Sequence, residues 1–206
     1  MSFTPTETHL NLMRAFAGES QARNRYTIAA GKAREKNLYV LEEVFLYTAD
    51  QERAHAAVFY DLLKDAAGQT LMIDGGFPAD LDPAMTKILQ AAQHNERAEA
   101  TDIYPAFAAQ ADADGNTRAA ALFREIAKIE AVHAERFGQF AAWLAGDALF
   151  SNNAGCVWMC QNCGHLHNGT QAPGICPVCL HEQGYFLRAE MSACTNSVTY
   201  RQQVMA

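Results

Sequence analysis

Glu52-Arg53-Ala54-His55 and Glu130-Ala131-Val132-His133 are the two stretches whose reading decides the fold. In each, an acid and an imidazole stand three residues apart, so on a helix they share one face. The apolar residues around them carry the same spacing. Leu41, Val44, Thr48, Phe59 and Leu62 continue the first stripe, and Leu122, Ile126, Phe137, Phe140 and Leu144 the second. Two further stripes run Leu12, Phe16, Glu19, Ala22, Tyr26 and Leu89, Ala92, Glu96, Glu99, Ile103, Phe107. Every stripe that ought to face a core carries acid.

Burying one unpaired carboxylate costs several kcal/mol. Five glutamates (Glu19, Glu52, Glu96, Glu99 and Glu130) converging with His55 and His133 therefore need positive charge, and no Lys or Arg lies on the stripes. Metal ions supply it. Two Glu-x-x-His pairs facing two further glutamates make a site for two ions bridged by carboxylates, and mixed oxygen and nitrogen ligands favour iron or manganese over calcium. Surface carboxylates are the ordinary alternative. The first 150 residues hold 11 Glu and four His, so chance placement gives about 0.3 such pairs. Two pairs occur, each about 33 residues after an in-stripe Glu, and the halves repeat at an offset of 77 or 78 residues. That repeat predicts two related helical hairpins. Glu99 has no counterpart after Glu19, where Ala22 stands, and reads as an added ligand or a supporting acceptor. Tyr26 reads as a hydroxyl donor to a ligating carboxylate or as core. His9 and His94 fall off the stripes.

Four helices of roughly 28 residues would each span about 42 Å. The first is expected from the capping pattern Thr4-Pro5-Thr6-Glu7 to about Lys36, with a break at Asn37. The second runs from Leu38 to about Ala67, followed by a crossover to Leu81 containing Gly75, Gly76 and Pro78. The third starts at Asp82-Pro83 and ends at Asp114-Gly115-Asn116, and the fourth ends near Ala145. Pro105 should kink the third. One long connection between the second and third helices suits a bundle with a single crossover. The expected division is a four-helix bundle over 1–148, a linker over 149–155 and a small module over 156–206.

All six cysteines fall between Cys156 and Cys194. Cys160-x-x-Cys163 and Cys176-x-x-Cys179 form two knuckles of a four-thiolate metal site. A module this short needs a metal to hold it together. Spacing alone does not separate structural zinc from a one-iron redox centre. Cys156 and Cys194 are left over and read as reduced thiols, and His165, His167 and His181 as surface or supporting groups. With 206 residues, half of them hydrophobic, and a net charge of −7, the chain is globular and lacks the basic footprint of a nucleic-acid binder. Neither a secretory signal nor a membrane span is legible, and the expected location is the cytoplasm.

The stretches GESQARNRY at 18–26, ERAHA at 52–56, ERAEATDIYPAFA at 96–108, IEAVHAERF at 129–137 and WMCQNCGHLHNGTQAPGICPVC at 158–179 resemble the rubrerythrin family over nearly the whole chain. The resemblance implies a ferritin-like di-iron bundle followed by a rubredoxin-like iron domain. It implies reduction of hydrogen peroxide to water, with electrons from NADH through a separate reductase or a rubredoxin. It also implies a homodimer or larger assembly, with one chain's cysteine domain approaching another's di-iron centre. Carried over, the di-iron ligands are Glu19, Glu52, Glu96, Glu99, Glu130 and His133, with His55 exchanging with Glu99 between oxidation states, and Tyr26 and Tyr104 hydrogen-bonding near the site. The family often places Gly after the fourth cysteine, where this chain has Leu180. An iron-storage shell would leave the cysteine module without a task, and a scaffold with a structural zinc ribbon would leave the module colourless.

Overall fold

The computed structural model describes residues 4–192, and Cys194 lies outside them. Helix α1 spans Glu7–Glu35 and α2 Tyr39–Asp61. They are joined through Asn37, whose left-handed φ of 56° makes the expected break. After a crossover come α3, Met85–Ala98, a π turn, Glu99–Ile103, and α4, Tyr104–Ala113. Helix α5, Thr117–Ala145, completes the bundle. Helix α1 packs on α2, and α3 and α4 pack on α5. Two apolar layers fill the interior. Tyr26, Phe45, Leu89, Phe137 and Phe140 lie in one, and Leu12, Phe59, Phe123 and Ile126 in the other. Glu19, Glu52, Glu96 and Glu130 occur along the chain between the residues of the two layers.

Helix ends differ from expectation in three places. The capping box of α1 is Thr6 with His9, not Thr4 with Glu7. The start is tied from outside, because Thr8 N and Oγ1 both donate to Asp114 Oδ2, at 2.9 and 2.6 Å, satisfying a donor that has no partner within the helix. Helix α2 ends at Asp61, and the chain tightens into a 3-10 turn, Lys64–Ala66, before Gly68. Helix α3 begins after Asp82-Pro83, because Asp82 Oδ1 accepts from Ala84 N at 2.8 Å and holds a side-chain turn there.

Pro105 sits within a helical run that continues from α3 into α4, and the π turn lies directly before it, with Tyr104 N donating five residues back to Glu99 O. The turn also corrects the stripe. Ile103, expected in the core, is 39% exposed, and Tyr104 takes the inward position at 1%.

The C-terminal module is a three-stranded antiparallel sheet in the order β2-β1-β3, formed by β1, Ser151–Cys160, β2, Leu166–Gln171, and β3, Phe186–Arg188. Residues 151–155, read as a linker, form the first half of β1, with a register irregularity before Cys156. Trp158, Ala172 and Phe186 make a small core beside Cys160 and Cys176. The module seats on the α1–α2 end of the bundle. Tyr185 stacks on Tyr39 at 4.1 Å, and the Arg188 guanidinium lies 3.9 Å from the centre of the Trp143 ring. A Cβ on Gly184 would fall 1.9 Å from Asn37 O, so only glycine allows this approach.

Candidate metal centres

The acid stripes meet at mid-bundle. Glu19, Glu52, His55 and Glu130 form one group whose ligand atoms lie within 4.8 Å of one another, and Glu52, Glu96, Glu130 and His133 form a second. Glu52 and Glu130 belong to both. His55 Nδ1 approaches Glu130, Glu52 and Glu19 oxygens at 2.9, 3.3 and 3.6 Å, and His133 Nδ1 approaches Glu130, Glu52 and Glu96 oxygens at 2.8, 3.0 and 3.6 Å. Two donors about 2.1 Å from one ion and at right angles stand about 3 Å apart, which is the spacing found here.

A fit to metal also follows from atoms that lack aligned partners. Both oxygens of Glu52 and of Glu130, Glu19 Oε2, Glu96 Oε2, and Nδ1 of His55 and His133 are buried with no hydrogen bond. Such groups cost free energy unless something else satisfies them. Four ionised carboxylates would balance two divalent cations.

Electrostatics divides the acids by position. Burial pushes the terminal acids up, Glu19 well above the carboxylate range and Glu96 to about 8. Burial acts the same way on the bridging acids, but the adjacent imidazoles outweigh it, bringing Glu52 to about 2 and lowering Glu130. Burial likewise disfavours the charged imidazoles, yet the surrounding carboxylates raise His55 to about 12 and His133 to about 11.

The outer supports repeat across the site. Tyr26 Oη on α1 donates to Glu96 on α3, and Tyr104 Oη on α4 donates to Glu19 on α1. Sequence reasoning missed Gln51 and Arg136. Gln51 Oε1 accepts from His133 Nε2–H at 3.1 Å and from Arg136 Nη1 at 3.0 Å, and Arg136 Nη1 also reaches Thr48 Oγ1 at 3.0 Å. The bond fixes the tautomer that turns Nδ1 of His133 inward. The available signal was the need of a ligating histidine for a partner on its other nitrogen.

Glu99 stands in neither group. It opens the π turn and lies toward Gly18, where a Cβ would sit 3.9 Å from Glu99 Oε1. Burial raises its pKa well above the usual range, helped by Glu96, Glu130 and Glu52. Of the off-stripe histidines, His94 is exposed, whereas His9 is half-buried between Thr6 and Asp65.

Cys160, Cys163, Cys176 and Cys179 form a third group within 4.8 Å. The knuckles mirror each other. Cys160 N donates to His165 O at 2.9 Å and Cys176 N to His181 O at 2.8 Å, while Gly164 N donates to Cys160 O and Leu180 N to Cys176 O. Each knuckle closes on a left-handed residue, Gly164 at φ 76° and Leu180 at φ 63°. The absence of Gly after the fourth cysteine therefore leaves the geometry intact and places strain on Leu180. The His181 backbone N–H draws the Cys179 thiol down to about 5, and burial pushes Cys160 up to about 12. Cys156 is a free half-buried thiol outside the group, pushed upward by burial.

Comparison with known proteins agrees with this geometry. Residues 11–141 match the rubrerythrin family model, and 158–187 match the rubrerythrin rubredoxin-like domain. The chain belongs to the rubrerythrin family. It is 40% identical to rubrerythrin of Porphyromonas gingivalis, over 90% of this chain and 91% of that one, and 40% identical to rubrerythrin of Clostridium perfringens, over 90% and 95%. A solved mixed-valence nigerythrin superposes with TM-score 0.60 at 27% identity, covering 90% of this chain and 88% of that one. Bacterioferritin of Desulfovibrio desulfuricans superposes with TM-score 0.61 at 20% identity, over 69% and 82%, and shares the fold. Iron is the metal expected of this family at the carboxylate–histidine cluster and at the four-cysteine site. Among the described residues no helix is long and apolar enough to cross a membrane.

Proposed function

We propose that the protein is an oxidoreductase that reduces hydrogen peroxide to water. Two electrons and two protons convert each peroxide to two waters. The electrons arrive one at a time through the four-cysteine iron, ultimately from NADH by way of a separate reductase or a rubredoxin. The observation that carries this reading is the pairing, on one chain, of two ligand groups that share Glu52 and Glu130 with a four-thiolate site. A ferrous pair held there would supply two electrons, one from each ion. An iron-storage role would leave the thiolate site without a task.

The protein's part is placement. Glu52 and Glu130 hold the two positions side by side. Glu19 with His55, and Glu96 with His133, complete them. Tyr26 and Tyr104 stop Glu96 and Glu19 from swinging, Gln51 fixes His133, and the two apolar layers exclude water. Glu99 lies beside the site on the Gly18 side, its carboxyl pKa raised by burial. In this reading Glu99 also exchanges with His55 as a ligand when the oxidation state changes, which X-ray absorption on the oxidised and reduced protein would read as a change in histidine ligation. In this reading the working form is a homodimer or larger, with a partner's knuckles near the di-iron site.

The test is stopped-flow reoxidation of the reduced protein by hydrogen peroxide, followed by iron absorption. Rapid reoxidation is expected, slowed at least about 100-fold in Glu52→Ala and His133→Ala. Normal rates in both variants would overturn the assignment.

A further inference from the structure

We propose that the cavity between α1, the crossover loop and the π turn is a subsite for the organic part of a neutral alkyl or aryl hydroperoxide, making such compounds a second substrate class. This inference rests on the peroxide-reducing reading above. The cavity measures about 340 Å³, and Glu99 and Tyr104 form its inner wall. Tyr104 donates to Glu19, so the cavity reaches within one side chain of a candidate ligand. Hydrogen peroxide needs little more room than a water, whose share of liquid volume is about 30 Å³. The space instead falls at the small end of organic-ligand sites, about 300–1,000 Å³.

Its lining is mainly apolar, and its two cations are engaged elsewhere. Ala15, Phe77, Ala98, Ile103 and Phe107 supply hydrocarbon contacts. Both arginines at the rim are already paired, Arg14 with Glu7 and Asp74, and Arg25 with Asp80. Asn95 is likewise engaged with Asp80. No free cation remains among these residues to hold a carboxylate, so a neutral hydroperoxide fits better than an ionised fatty-acid one.

Gly18 is the second observation. It stands inside the 29-residue helix α1, where glycine lowers helix stability. Its φ is not in the left-handed region, and a Cβ there would meet only Glu99 Oε1 and Phe77 Cε1, each at 3.9 Å. Neither backbone conformation nor close packing demands glycine. Its effect is to leave open the gap between Phe77 and Glu99.

The reaction balances as for hydrogen peroxide. The O–O bond breaks, two electrons come from the reduced iron pair and two protons are taken up, and the products are one alcohol and one water.

The experiment compares hydrogen peroxide with cumene hydroperoxide as oxidants of the reduced, iron-loaded full chain. Separately, calorimetry measures binding of the alcohol product, 2-phenyl-2-propanol, to the oxidised protein. Wild type should be reoxidised by both, with one alcohol formed per cumene hydroperoxide consumed. Gly18→Leu, which fills the gap, should lower the cumene hydroperoxide rate at least tenfold more than the hydrogen peroxide rate and abolish alcohol binding. Reoxidation by hydrogen peroxide alone overturns the proposal and leaves the peroxidase reading standing. An equal fall of both rates in Gly18→Leu, or alcohol binding that survives it, overturns the proposal as well. Reoxidation by neither oxidant removes the peroxidase reading and this proposal with it.

Discussion

The two halves of the bundle differ by one residue, and that residue accounts for the departure from twofold symmetry. Glu19 and Tyr26 are seven apart on α1, whereas Glu96 and Tyr104 are eight apart across α3 and α4. The extra residue is absorbed in the π turn, Glu99–Ile103, so both tyrosines still reach the opposite half's terminal glutamate. Glu99 opens that turn at the position where the first half has Ala22, and after it Ile103 faces outward. A helical insertion that would otherwise disturb a core has become the place where one half gains an acid.

Alanine substitution at the ligands should break the comparison most severely. Because Glu52 and Glu130 join both groups, Glu52→Ala or Glu130→Ala should empty both bundle positions. Glu19→Ala or Glu96→Ala should weaken mainly one. Iron per chain, measured by elemental analysis, distinguishes the patterns, and equal losses from all four variants would contradict shared bridging.

The tyrosines sharpen it. Tyr26→Phe and Tyr104→Phe each remove a hydroxyl that donates to a buried carboxylate, at an expected cost of about 1–3 kcal/mol. Denaturant melts should show similar losses if the halves are equivalent. A large loss in one variant and none in the other would show that the π turn has broken the equivalence.

The knuckles offer the same contrast on a smaller scale. Leu180 is 75% exposed and left-handed where Gly164 serves in the other knuckle. Leu180→Gly should stabilise the cysteine module by about 1 kcal/mol, read as slower iron loss in denaturant. A faster loss would mean that the leucine side chain contributes more than its strain costs.

The smallest effect belongs to Asp114, the outside tie on α1. Hydrogen bonds from the Thr8 side chain and backbone hold its carboxyl below the usual range. Its contribution to stability is therefore fully present above the unfolded pKa of about 3.9 and is lost as pH falls through the lower folded value. Asp114→Asn should lower stability slightly at neutral pH and flatten that acid dependence, measured by melts across the acid range.

Much of this was legible in the residues. Buried acids at three- and four-residue spacing, and cysteines three residues apart in pairs, are local signals that point to bound metal. The 77-or-78 offset already contained the insertion, but a one-residue slip in a helical stripe gives no sign of where the backbone absorbs it. Pro105 marked the place, and reading it as a kink missed the π turn that accommodates it. A ligating His133 requires a partner on its second nitrogen, but that Gln51 and Arg136 supply it depends on how α2 faces α5. The Thr8–Asp114 tie spans 106 residues, beyond any local capping rule. Glu99 carries a ligand's chemistry on the sequence stripe, yet the fold sets it beside the two groups with His55 inside.

Metal analysis of the full chain against its four-cysteine knockout tests most directly whether cations neutralise the buried acids. With Cys160, Cys163, Cys176 and Cys179 all replaced by serine, two ions per chain should remain with the bundle, and removing them with a chelator should lower its melting temperature. A bundle that holds no metal and melts at the same temperature with or without chelator would contradict it.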